Sequence, residues 1–156
     1  MDIKGQKTIL LVEDETIIAM NDSTKLKEYG YNVIHVLTGQ KAVETVNDNK
    51  NEIDLILMDI NLGGGIDGTE AAKIILEEHD IPLLFLSSYT DREIVDRTEN
   101  VTSYGYVVKN GISVLDASIK MAFRLHEAYQ DLKKQKLKVE AKENRLRMFE
   151  KRYHRL

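Results

Sequence analysis

The chain has 156 residues and no cysteine. That excludes a disulfide frame, a cysteine nucleophile and a zinc–thiolate site. It fits a reducing cytosol. No apolar run approaches the roughly 18 residues that span a bilayer. Residues 1–7 are polar and lack the apolar stretch of a signal peptide. The expectation is a cytoplasmic protein with no membrane partner. Proline occurs once, at position 82, and residues 113–156 hold neither proline nor glycine. Nothing in that stretch breaks a helix. What is present is enough apolar material, 42% of the residues, to build a packed core.

The net charge of −4 hides an asymmetry. Residues 120–156 carry 12 Lys and Arg against 5 Asp and Glu, and the rest of the chain carries 10 against 21. An acidic globule followed by a basic segment is the expected organisation, with the composition changing near residue 125. The basic charges are interleaved with acids, which reads as a solvated helix face and not as a nucleic-acid surface.

Short apolar runs alternate with helical patterns. Residues 8–12, 31–37, 54–59, 81–87 and 104–108 read as strands. Residues 16–29 read as a helix ended by Gly30, and helical spacing recurs at 42–46, 69–79 and 91–99. A last helical pattern starts near Ser113. The expected fold class is α/β: a doubly wound, five-stranded parallel sheet with helices on both faces. The last pattern does not stop, and its roughly 40 residues would form one helix of about 60 Å. Leu125, Leu132, Val139, Leu146 and Tyr153 recur every seven residues. Beside them Met121, Ala128, Gln135, Lys142 and Phe149 make a half-polar second seam. The pair of seams points to a weak coiled coil.

The strand ends carry the chemistry. The first run meets Glu13 and Asp14, the third meets Asp59, the fourth meets Ser87, and the fifth meets Lys109. In an open parallel sheet these ends share one edge, where such folds bind ligands. Clustered carboxylates repel unless a cation sits among them. An oxygen-only donor set with no His or Cys suits Mg²⁺. A carboxylate can attack phosphorus, while an ammonium and a hydroxyl stabilise the oxygens of the transferring group.

Glu13-Asp14, Met58-Asp59-Ile60-Asn61, Phe85-Leu86-Ser87-Ser88 and Tyr104-Gly105-Tyr106-Val107-Val108-Lys109 together resemble the receiver domain of two-component response regulators. The resemblance covers about residues 5–125 and leaves 126–156 as a helical extension. It implies the CheY-like, flavodoxin-like strand order. It implies Asp59 as phosphoacceptor, with a phosphohistidine of a sensor histidine kinase or phosphotransfer protein as donor. It implies Mg²⁺ held by Asp14, Asp59 and the backbone carbonyl of Asn61, with Glu13 acting through a water. Lys109 would contact the phosphoryl group, Ser87 would be the switch hydroxyl and Tyr106 the switch aromatic. It also implies a homodimer through the face of the fourth helix, fifth strand and fifth helix, extended by the C-terminal helix. Such a domain is a signalling module and not an enzyme, beyond its own phosphorylation and dephosphorylation.

The chain departs from the family pattern after the lysine. Asn110-Gly111 stands where proline is usual, so the loop holding Lys109 is less constrained. Gly63-Gly64-Gly65 lengthens the loop after Asp59 and lacks the Gly-Lys-Ser/Thr ending of a nucleotide-binding P-loop. Residues 144–156 resemble the lead-in helix of PAS sensor domains. From this the chain is expected to be the N-terminal part of a longer signalling protein.

Three other readings fit the sequence less well. A dehalogenase-like phosphatase needs a second Asp two residues after the nucleophile, and Asn61 is there instead. An RNA-binding antiterminator needs a compact three-helix tail, which the heptads do not suggest. A non-phosphorylated interaction module with the same fold has no reason to keep every acid and the lysine.

Overall fold

A computed structural model describes residues 5–49, 51–87, 106–108 and 112–153. Among the described residues five elements are strands: β1 (Thr8–Val12), β2 (Asn32–Val36), β3 (Leu55–Asp59), β4 (Leu83–Ser87) and β5 (Tyr106–Val108). The described helices are α1 (Thr16–Glu28), α2 (Gly39–Asp48), α3 (Gly68–Glu78) and α4 (Ile112–Tyr153). All strand pairs are parallel, in the order β2-β1-β3-β4-β5. The helix expected over 91–99 lies outside the described residues, as do Lys109, Asn110 and Gly111.

The sheet is buried on both faces, so its central strands can be apolar throughout rather than alternating. Side chains of β3 alternate between two cores. Ile56 and Met58 join Ala42, Val46, Ala71, Ala72 and Ile75 from α2 and α3. Leu55 and Leu57 join Ala19 and Leu26 from α1 and Leu115, Ile119 and Ala122 from α4. Each fully buried aliphatic side chain contributes about 1.5–3 kcal/mol. Leu115 and Ile119 therefore fix the start of α4 more firmly than the surface ion pair Lys120–Asp116 at 3.0 Å, which is worth about 0.3–0.5 kcal/mol.

Local signals set the helix ends. Gly30, at φ +96°, lets its N–H reach the carbonyl of Lys27 while Tyr31 N–H reaches that of Leu26. This left-handed cap closes α1. The Thr38 hydroxyl accepts from Lys41 N–H, and the Asp67 carboxylate accepts from Glu70 N–H. On α1 the apolar residues divide between the packed face and solvent. Ile17 is 84% exposed and Met20 66%, while Ala19 and Leu26 are buried.

The chain divides into two compact units, Met1–Phe123 and Arg124–Leu156. Among the described residues no helix is long and apolar enough to cross a membrane.

Tyr31 and α4 are tied by a 3.2 Å hydrogen bond from the Tyr31 hydroxyl to the Asp116 carboxylate. Burial, with the charge and hydrogen bond of Asp116, pushes the Tyr31 hydroxyl up to about 12. Its folded value lies above its unfolded value near 10. The corresponding stability is whole below pH 10 and is lost as pH rises from about 10 to 12. Urea unfolding across that window should show wild type losing more stability than Tyr31→Phe.

Candidate functional site

The parallel register decides what meets at the C-terminal edge of the sheet. Val12 pairs with Met58, so Glu13 and Asp59 are the next residues along neighbouring strands. Asp59 itself pairs with Leu86, and Ser87 ends β4 one step further on. Carboxylate oxygens of Glu13, Asp14 and Asp59 lie within 4.8 Å of one another. Glu13 is fully buried, Asp59 is 2% exposed and Ser87 1%. Asp14 is half-buried, and Asn61 is exposed.

Each carboxylate accepts a main-chain hydrogen bond from a loop residue. Glu15 N–H donates to Glu13 Oε1 at 3.3 Å. Asn61 N–H donates to Asp59 Oδ1 at 3.1 Å. Gly63 N–H donates to Asp14 Oδ2 at 3.0 Å. Bonds of this kind are charge-assisted and hold the direction of each carboxylate. They work against the repulsion of three acids and the desolvation of two of them.

The expected acids are thus brought together, and Ser87 stands at the end of the adjacent strand. Tyr106 begins β5 opposite Phe85; its side chain, and all of Lys109, lie outside the described residues. The sequence reading missed three contributors. In the sequence Gly63 is only part of a lengthened loop, yet its N–H orients Asp14. Gly68 was not singled out. A Cβ there would overlap the carbonyl oxygen of Asp59 and stand 2.8 Å from its carbonyl carbon. The Asp67-Gly68-Thr69-Glu70 capping pattern was the available signal for a helix starting hard against the site. His35 also escaped notice. Its Nε2 lies 2.8 Å from the Glu13 carbonyl oxygen, which can only accept, so that nitrogen carries the proton.

The donor set fits a hard divalent cation: carboxylate oxygens only, converging from two strand ends. The model for the response regulator receiver domain matches residues 9–120. The chain belongs to this family. The transcriptional regulatory protein PdtaR of Mycobacterium tuberculosis is 32% identical over 123 residues, covering 78% of this chain and 58% of PdtaR. The Bacillus subtilis regulator YrkP is 32% identical over 130 residues, covering 81% of this chain and 54% of YrkP. This receiver chain therefore spans less than two thirds of those curated relatives. Among solved structures, the N-terminal domain of a response regulator/sensory box/GGDEF three-domain protein from Carboxydothermus hydrogenoformans is 43% identical. It has a TM-score of 0.73 and covers 79% of this chain and 98% of that one. Vibrio cholerae CheY4, at 23% identity and a TM-score of 0.68, shares the fold, covering 76% of this chain and 99% of its own.

Two outcomes test this geometry. In the presence of a chelator, Asp59→Asn should raise the unfolding free energy by about 1–2 kcal/mol, because it removes one charge from the buried cluster and keeps an acceptor for Asn61 N–H. Gly68→Ala should lower it by about 2–4 kcal/mol, because the methyl group has no space beside the Asp59 carbonyl. Urea titrations of both variants read the two shifts.

Proposed function

We propose that the chain accepts a phosphoryl group on Asp59 from a phosphohistidine of a sensor histidine kinase or phosphotransfer protein. The observation that carries this reading is the convergence of Glu13, Asp14 and Asp59 at the sheet edge, with Asp59 buried and held by Asn61 N–H. A carboxylate oxygen of Asp59 attacks phosphorus and a P–O bond forms. The P–N bond of the donor breaks, and its electron pair leaves with the imidazole nitrogen, which then takes up a proton. Bound Mg²⁺ would neutralise charge on the phosphoryl oxygens. Asp14, Asp59 and the backbone carbonyl of Asn61 would hold it directly, and Glu13 through a water.

Family membership and strand position support the remaining roles. Lys109, which follows β5, is assigned to the phosphoryl oxygens as a compact point charge. Ser87 donates its hydroxyl to one of them. Its inward movement frees space for the Tyr106 ring to turn from solvent to interior, and partners read the altered surface. Residues 5–125 are assigned as the receiver and 126–156 as the segment that relays its state. That relay runs through homodimer formation along α4 and the neighbouring receiver face.

Incubation with Mg²⁺ and acetyl phosphate, followed by intact mass measurement, should add one phosphate to wild type and none to Asp59→Asn. Equal labelling of the two, or none of wild type even with a phosphorylated kinase, would overturn the assignment.

A further inference from the structure

Beyond Phe123, α4 carries an apolar stripe that nothing in its own unit covers. Leu125, Leu132, Val139, Leu146 and Tyr153 recur every seven residues and are each 45–63% exposed. Isolated helices in water are marginal, and most helical stability comes from packing an apolar face. A stripe with a strict seven-residue period is packed by another helix in a left-handed supercoil.

The flanking charges identify that helix. With the stripe at one core position of the heptad and Ala128, Gln135, Lys142 and Phe149 at the other, Asp131, Lys138 and Arg145 fall on one flank. Lys136, Glu143 and Glu150 fall on the opposite flank. In a parallel pair aligned without offset, a residue on the first flank meets the residue five positions later on the second helix. Asp131 then meets Lys136 of the second copy, Lys138 meets its Glu143, and Arg145 meets its Glu150. Every one of these pairs attracts, and symmetry doubles each.

Other arrangements of the same helix lose this match. A parallel pair offset by one heptad sets Asp131 against Glu143 and Lys138 against Lys136. A fully overlapped antiparallel pair sets Arg124 against Arg152 and Lys138 against its own equivalent. The occupant that complements the stripe is therefore this chain again, parallel and unshifted.

We infer that residues 121–153 of two copies form a parallel, in-register, two-stranded coiled coil, whose register is set by the flanking pairs 131–136, 138–143 and 145–150. Lys142 lies in the seam. In two strands its ammonium reaches solvent past the flank, whereas a third strand would enclose it. Gln135 and Lys142 make the association weak, so a modest bias from the receiver units can shift it. The inference rests on the dimer part of the proposed function and not on its phosphoryl chemistry.

The test uses the full chain, sedimented with and without acetyl phosphate and Mg²⁺, with intact mass read on the same samples. Wild type should dimerise in at least one condition. Lys138→Glu and Glu143→Lys should each weaken the dimer by about tenfold, because each turns two attractions into repulsions. Their equimolar mixture should restore it, since both cross pairs are then opposite in sign. Because the chain has no cysteine, Leu132→Cys reports geometry without background: mild oxidation should link it to its own copy. A monomeric wild type in both conditions, a trimer, no rescue on mixing, or a dimer in which Leu132→Cys fails to link would each overturn the inference. Absence of phosphate in the mass spectrum bears on Asp59 alone.

Discussion

Three like charges held within a few ångströms at the rim of a sheet set the terms for everything around them. Glu13 and Asp59 are sealed from water, and Asp14 is partly so. An arrangement of that kind is costly on its own and becomes favourable when a cation joins it. The apolar cores on both faces of the sheet supply the stability that tolerates it. Leu10, Ile56, Met58 and Phe85 pack on one face, and Ile9, Leu57, Leu84 and Leu86 on the other. The site is thus a local excess of charge, maintained by a sheet that is apolar almost everywhere else.

The parts of the fold legible in the sequence are those written as contiguous runs. Branched apolar strands bounded by turn residues placed β1, β3 and β4 to within two residues. Gly30 announced the end of α1 because a left-handed cap demands a residue without a Cβ. The acids of the site were legible because each lies at or just past the C-terminal end of a strand, and a parallel sheet collects strand ends. What was not legible depends on close approach between distant segments. Gly68 touches the Asp59 carbonyl through chain folding that no spacing rule encodes, and His35 meets Glu13 only because β2 lies beside β1. The face of α1 was obscured for another reason. Its exposed Ile17 and Met20 carry more hydrophobicity than the buried Ala19, so the pattern pointed away from the contact.

The long helix lives in two settings. Over its first three turns Leu115, Ile119 and Ala122 are buried against the sheet, and the Tyr31–Asp116 bond adds a polar tie. From residue 124 onward its apolar residues face water within their own unit. One uninterrupted backbone therefore carries both a buried apolar face in the receiver core and an exposed apolar stripe. The absence of glycine and proline from 113–156 makes this possible.

The three carboxylates each rest on an amide of the main chain, contributed by Glu15, Asn61 and Gly63. An amide of this kind survives almost any exchange of the side chain attached to it. Glu15 and Asn61 can thus change side chain and leave the aim of their acids intact, whereas Gly63, whose Cβ would stand 3.1 Å from Asp14 Oδ2, and Gly64 and Gly65, at φ +69° and +78°, are held to glycine by space and backbone. Loop length is fixed as well, because adding or removing one residue would move the amide away from its carboxylate. The count of residues between strand and helix is therefore as much a part of this rim as the acids themselves.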